Sequence, residues 1–255
     1  MKKTFLSMLL TTLIVGNAHA ESSVFTQEQQ SQIEKIASQY IINNPEILIR
    51  ASESLQKQQI EQQQSMMKEM VVKNINKLIN NKSTPYIGPD NAQVNVIEFF
   101  DYQCGYCAKM SPVLKVLQNE NPTVKFIYKE TPIFASRWEG SEYAASMGNW
   151  VFKQKGSKGY NLYHEGIYSL NKSGGELTTQ DVNAVAKKSG VDVSKFKKTD
   201  SINENLQLFS SLGFQGTPAL IVMPSRNITK ENIYIINGYD PQALTDALKK
   251  VKASL

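Results

Sequence analysis

Cys104 and Cys107 are the only cysteines of this 255-residue chain, and Gly105 and Tyr106 separate them in the stretch FFDYQCGYCAKMSP. Two thiols at positions i and i+3 of a helix start face each other across one turn, within reach of a disulfide or of two bonds to a metal. At or near the N-cap, Cys104 would meet the unpaired backbone N–H groups and the positive end of the helix dipole, both of which favour a thiolate. Its pKa is expected below that of a free thiol, which makes it the exposed attacking sulfur. Cys107, one turn in, is expected to be covered and to resolve a mixed disulfide by attacking Cys104. A chain long enough to bury a substantial core needs no disulfide staple, so the pair reads as catalytic rather than architectural.

Two further features belong with this chemistry. Glu98 is the only charge inside the apolar run VNVIEFF and lies six residues before Cys104. A carboxyl there is expected to have its pKa raised by burial, and near the covered cysteine it could relay a proton as Cys107 becomes a nucleophile. Thr217 and Pro218 immediately precede the run ALIVM. Proline is compatible with a strand entrance where its missing N–H is not needed. A cis bond before Pro218 would turn the Thr217 backbone toward the cysteines, where it could pair with an extended substrate segment. The sequence leaves cis and trans open.

The elements that must hold these groups follow from periodicity. VNVIEFF, residues 94–100, reads as a central strand covered on both faces. A helix starts at the cysteines, carries Pro112 as an expected kink and ends at Asn121-Pro122. VKFIYKE, residues 124–130, is the next strand, parallel to the first through a right-handed crossover. Residues 138–212 change to helical periods broken by glycines, an inserted helical domain. Strands return at 219–223 and 232–238 as a hairpin, and a last helix starts at Pro241. The expected fold class is α/β, a small mixed sheet with a helical block between its halves. The expected catalytic domain is 84–255, with sheet portions 84–137 and 213–255 around an insertion at 138–212.

Ahead of it, residues 21–83 form a helical arm. Thr26 caps a first helix with Ile33, Ile36, Ala37 and Tyr40 on one face. Asn43-Asn44-Pro45 breaks it, and a second helix is expected from about Pro45 to Asn80, with Leu48, Ala51 and Leu55, then Met67, Val71, Ile75 and Leu78, on a narrow apolar stripe. Such a stripe must bury itself on a copy of itself or on its own chain, and self-association is the expectation, a dimer ahead of a trimer. Met66, Met67 and Met70 read as adaptable contacts in that assembly. Residues 81–89 are a linker rich in Pro and Gly. Residues 1–20, with Lys2 and Lys3 before an apolar run and Ala18-His19-Ala20 at its end, read as a cleavable signal peptide. Its removal lowers the formal charge of +5 by two. That balance is too small to imply nucleic acid as a partner.

Taken together, the marks EFFDYQCGYC and GTPALIV with the long helical insertion resemble the DsbA family of exported thiol:disulfide interchange proteins, over residues 94–253. The resemblance implies a thioredoxin-like fold, with Cys104 as nucleophile, Cys107 as resolving cysteine, Glu98 as the buried acid and Pro218 as the cis-proline. It implies no cofactor, a periplasmic location with outer-membrane association left open, and as partners unfolded or misoxidised exported proteins and a membrane redox protein that reduces or reoxidises the pair. The stretch FTQEQQSQIEKIASQYIINNPEILIRASESLQ is similar to the leader of a DsbA-like branch of Gram-negative pathogens. In that branch, and in related suppressor-of-copper-sensitivity proteins, a helical arm makes dimers or trimers. One departure matters: the strongly oxidising members place Pro-His between the cysteines, and this chain has Gly105-Tyr106. A thiolate without that histidine makes a weaker oxidant. Gly-Tyr, the threonine before Pro218 and an oligomerising arm instead resemble disulfide isomerases, so disulfide shuffling with some oxidase activity is the expectation.

Rival classes are a DsbA-type dithiol oxidase, a copper-handling module bridged by cysteines, and a surface scaffold. His164 in YNLYHEGIY has no second ligand at a recognisable spacing, and reads as a helix-packing histidine rather than a ligand. Tyr102, Tyr106, Phe134 and Trp138 are candidates to line an apolar client groove around Cys104, and some of them must instead be core. The basic stretch at 187–198 reads as a solvated face.

Overall fold

The computed structural model describes residues 24–171 and 176–255. The signal-peptide reading of residues 1–20 therefore lies outside the described residues. The sheet has five strands: β1 (Tyr86–Ile87), β2 (Val94–Phe100), β3 (Val124–Glu130), β4 (Ala219–Pro224) and β5 (Tyr234–Asn237), in the order β1-β3-β2-β4-β5. β2 and β3 run parallel, and every other pairing is antiparallel. Every residue of β2 is buried, as a strand flanked on both sides and covered on both faces must be. This is a thioredoxin-like fold with an inserted helical block. β1 lies inside the stretch expected to be a linker, where Tyr86 and Ile87 pair with Ile127 and Phe126. A two-residue edge strand is too short to have a period.

Side chains alternate across the sheet and build two cores. Val94, Val96, Phe100, Phe126, Tyr128, Leu220 and Val222 face one side. They meet α4 (Gly105–Glu120), α5 (Glu139–Leu170), α6 (Thr179–Lys188) and α8 (Pro241–Ala253). Ile97, Phe99, Ile127, Ala219, Ile221 and Met223 face the other and meet α7 (Ser201–Ser211). α4 runs on through Pro112 to Glu120 as one helix. α5 turns at Gly156, whose φ of 63° and ψ of −162° only glycine adopts readily, so two helical stretches meet there at a kink.

At the N-terminal end, α1 (Gln27–Asn43) opens with a reciprocal capping box between Thr26 and Gln29. α2 (Glu46–Lys73) follows, and the single helix expected to reach Asn80 is instead broken at Asn74 and resumed as α3 (Ile75–Ile79). The Asn74 side-chain amide donates to the Met70 carbonyl at 2.9 Å, competing with the helical ladder. The break lets Leu78 bury completely, and Met67 and Val71 join it in the second core. Lys129, 1 % exposed, pins this segment by donating to the Lys77 carbonyl at 2.7 Å and to Thr84 Oγ1 at 3.0 Å. Met67 is thus a core residue of its own chain, a correction to its reading as an assembly contact. The chain separates into compact units up to Gln58 and from Gln59 to Leu255, earlier than the boundary expected at 83, because Met67, Val71 and Leu78 pack under the sheet. Within the first unit Ile33, Ile36, Tyr40, Leu48, Ile49 and Leu55 are exposed.

Candidate active site

Cys104 is the N-cap of α4, with extended φ −84° and ψ 117°, and its own N–H donates to the Asp101 carbonyl at 3.0 Å. Its thiol donates to the Thr217 carbonyl at 3.2 Å, joining two loops 113 residues apart. The Thr217–Pro218 bond is cis, and the Gly238 N–H holds the Pro218 carbonyl at 2.8 Å. This loop covers the sulfur, so Cys104 is only 4 % exposed. The expectation of an exposed attacking sulfur is corrected accordingly: a neighbouring backbone that the sequence places far away lies over it. Hydrogen bonding from Cys107 lowers the Cys104 thiol to about 6, helped by the backbone N–H groups of Cys107 and Tyr106 against the cost of burial. Cys107 is fully buried, and burial first, then the adjacent Cys104, pushes its thiol well up. The two sulfurs are therefore unequal: one favours the thiolate, the other the thiol. Both are free thiols here.

Glu98 lies on β2 between Tyr128 of β3 and Leu220 of β4 and is 2 % exposed. Burial raises its carboxyl well above the ordinary range, and the Cys104 charge adds to this. The Thr217 hydroxyl is buried with no hydrogen-bond partner among the described residues. A buried acid, two unequal thiols and a carbonyl that meets the attacking sulfur thus stand in one place. This arrangement can exchange disulfides: a thiolate attacks, and a neutral thiol waits with an acid nearby.

The groove residues fare differently. Tyr106 is 60 % exposed at the mouth, with the Lys109 ammonium 5.3 Å from its ring centroid. Phe134 and Trp138 are half-buried, their rings 5.7 Å apart. Tyr102 is buried at 1 % exposure and is the one of the four that belongs to the core rather than to a groove. Its hydroxyl lies 3.2 Å from both Glu130 Oε1 and His164 Nδ1, polar partners that draw it inward. His164 is a packing histidine; burial lowers it to about 3, so it is neutral. Among the described residues, no group of three or more His, Cys, Asp or Glu is placed to hold a metal.

Sequence reasoning missed Asp101 and Glu130. Asp101 is 2 % exposed and accepts from the Gln103 N–H at 2.9 Å, the Phe134 N–H at 2.9 Å and the Ser141 hydroxyl at 2.7 Å. It ties the turn before Cys104 to the start of the helical insertion. Its signal was an aspartate closing an apolar strand two residues before Gln103, the pattern of an Asx-turn. Glu130 closes the run VKFIYKE, and an acidic residue at a strand end carries no local signal of burial.

Comparison with known proteins agrees with this geometry. A family model described as thioredoxin matches residues 80–232, and one described as the copper resistance protein ScsC N-terminal domain matches residues 29–62. BcfH of Salmonella enterica Typhimurium is 34 % identical, with 88 % of this chain on 96 % of that one and a TM-score of 0.76. The chain belongs to the DsbA family of thioredoxin-fold thiol:disulfide proteins, in a branch with an N-terminal arm. ScsC of Proteus mirabilis, in a transitional conformation, is 25 % identical over 91 % of this chain and 99 % of that one, with a TM-score of 0.61. A probable disulfide bond formation protein D of Bacillus anthracis is 26 % identical over 150 residues, 53 % of this chain and 68 % of that protein. The member described here is accordingly a thiol:disulfide oxidoreductase.

Proposed function

We propose that this DsbA-family protein is a disulfide isomerase of the periplasm with some oxidase activity, working through Cys104 and Cys107. The observation that carries the isomerase reading is the arm: its apolar residues, Ile33 to Leu55, are exposed at a spacing that suits a helical partner of the same kind. A second copy would cover them and bring two active sites into one particle, raising the local thiol concentration for a misfolded client. Periplasmic location rests on the leader reading of residues 1–20 and on the family.

In this reading the Cys104 thiolate attacks one sulfur of a client disulfide; that S–S bond breaks, a mixed disulfide forms, and a client thiolate leaves. The freed thiolate attacks another client disulfide, and a client thiolate finally displaces Cys104, with no net change of electrons. In the oxidative direction, a client thiolate attacks Cys104 of the Cys104–Cys107 disulfide and Cys107 leaves, taking a proton that Glu98 can supply. A second client thiolate then displaces Cys104, and two electrons have passed to the pair. A membrane redox partner resets it. Thr217 and Pro218 hold the client backbone beside the sulfur, and Tyr106 offers it an exposed ring.

The test is reactivation of a scrambled multi-disulfide protein in glutathione buffer, comparing the full chain with residues 59–255 and with Cys104→Ser. Starting at Gln59 keeps Met67, Val71 and Leu78 in the second core, which a start at Thr84 would strip away. Rescue by the full chain but not by 59–255, with dithiol oxidation retained by both, supports the isomerase. Fast oxidation by both without rescue by either makes this a dithiol oxidase, the runner-up that its thiolate near pKa 6 also suits.

A further inference from the structure

Beneath the cysteine turn, on the α5 side of the sheet, lies a polar cluster that the thiol chemistry above does not use. Glu130 is fully buried at the end of β3. Its Oε1 accepts from the Tyr160 hydroxyl at 2.8 Å and lies 3.2 Å from the Tyr102 hydroxyl. The Tyr102 hydroxyl lies equally far, 3.2 Å, from His164 Nδ1. Room for the carboxyl exists because residue 148 is glycine; a methyl there would collide with Glu130 Oε1. No lysine or arginine pairs with Glu130 within 4.0 Å among the described residues. The groups around it are Asp101, Tyr102, Tyr160, Tyr163, His164 and Glu98, all acidic or neutral.

Hydrogen-bond counting fixes what kind of group this is. Tyr102 has one proton for two acceptors, so either the carboxyl or the imidazole must supply the other. Oε2 of Glu130 is buried without a partner. A buried polar network left partly unsatisfied is more costly than an apolar core of the same shape. Packing alone does not account for such a network joined to Tyr102, two residues upstream of Cys104.

We propose that Glu130, acting through the Tyr102 hydroxyl, is a positioning residue for Cys104, clamping the turn on which the hydrogen bonds to that sulfur depend. The clamp has three further ties. The Asn171 amide donates to the Tyr102 carbonyl at 3.3 Å, Asp101 accepts the Gln103 N–H, and the Cys104 N–H donates to the Asp101 carbonyl. The Tyr102 hydroxyl adds a tie to Glu130 on β3. Releasing it lets the Tyr102–Cys104 turn move, and Cys104 Sγ loses register with the N–H groups of Tyr106 and Cys107 that favour its thiolate. A thiolate with fewer hydrogen bonds is less stable, so the disulfide form gains relative to the dithiol.

This rests on the reading of Cys104 and Cys107 as the exchanging pair, and the test separates the two. The full chain, Tyr102→Phe, Glu130→Ala and Glu130→Gln are equilibrated with glutathione, and thiolate absorbance of the reduced proteins is followed with pH. Tyr102→Phe and Glu130→Ala are expected to raise the Cys104 transition and to favour the disulfide by about threefold to tenfold, the scale of coupling within one network. Glu130→Gln, which keeps a neutral donor and acceptor, is expected to stay within about twofold of the parent. If Tyr102→Phe and Glu130→Ala lower the melting temperature but leave the pH profile and the glutathione equilibrium unmoved, the cluster is packing and the inference falls. Should Glu130→Ala fail to fold, Tyr102→Phe decides alone. A parent chain that never exchanges with glutathione overturns the cysteine reading and this inference with it.

Discussion

Replacing Cys107 by serine removes the sulfur that would resolve a mixed disulfide while leaving a hydroxyl to face Cys104. Cys107→Ser is expected to accumulate client adducts visible as reducible mass on a non-reducing gel, whereas Cys104→Ser forms none. The same asymmetry has a pH signature. The Cys104 thiol titrates near 6 instead of its ordinary 9.0. Its contribution to the stability of the reduced protein is therefore complete above about pH 9 and is lost as the pH falls through about 6. The oxidised protein has no such group, so the melting temperature of the reduced form should drop relative to the oxidised form between pH 9 and pH 6. His164 gives a second slope. Buried and neutral, it titrates near 3 against an ordinary 6.5, so below pH 6.5 the unfolded chain takes up a proton that the native one does not. Stability from this source declines from pH 6.5 toward pH 3, and His164→Phe should flatten that decline in denaturant titrations.

The elements of the site are positioned by packing on both faces of one sheet. α4 delivers the cysteines because Cys107, Met110, Leu114 and Leu117 recur on its buried face. The base of the arm belongs to the opposite core, where Leu78 and Val71 are fully covered. Leu78→Ala should cost about 2–5 kcal/mol in a denaturant melt, as large-to-small changes in a core do. Leu48→Ala, at 58 % exposure, should leave the melt of the catalytic unit within about 0.5 kcal/mol. A reversal of those two results would mean that the arm, not its base, holds the core together.

At the scale of the whole molecule, the exposed apolar residues of α1 and α2 are the feature that one chain leaves unanswered. Ile36→Lys and Leu48→Lys are expected to convert an oligomer into monomers in light scattering, with dithiol exchange retained and rescue of a scrambled client lost. A wild-type chain that is monomeric at all accessible concentrations would remove the basis of the isomerase reading.

What the sequence by itself determined was whatever contiguous residues encode. β2 and β3 occupy the ranges their apolar runs marked, Thr26 caps α1, the cysteines open α4, and Pro241 opens α8. Alternation, helical spacing and capping act over a few residues, so they are legible in order along the chain. The tertiary structure alone decided that Thr217 covers Cys104, that its bond to Pro218 is cis, that Tyr102 turns inward to Glu130 and His164, and that Met67 and Leu78 serve the catalytic unit. Partners far apart in sequence decide them: the Tyr102–Glu130 and Cys104–Thr217 contacts join residues 28 and 113 apart. A buried polar side chain takes its direction from whichever partner satisfies it, and burial is a property of the assembled neighbours rather than of the residue.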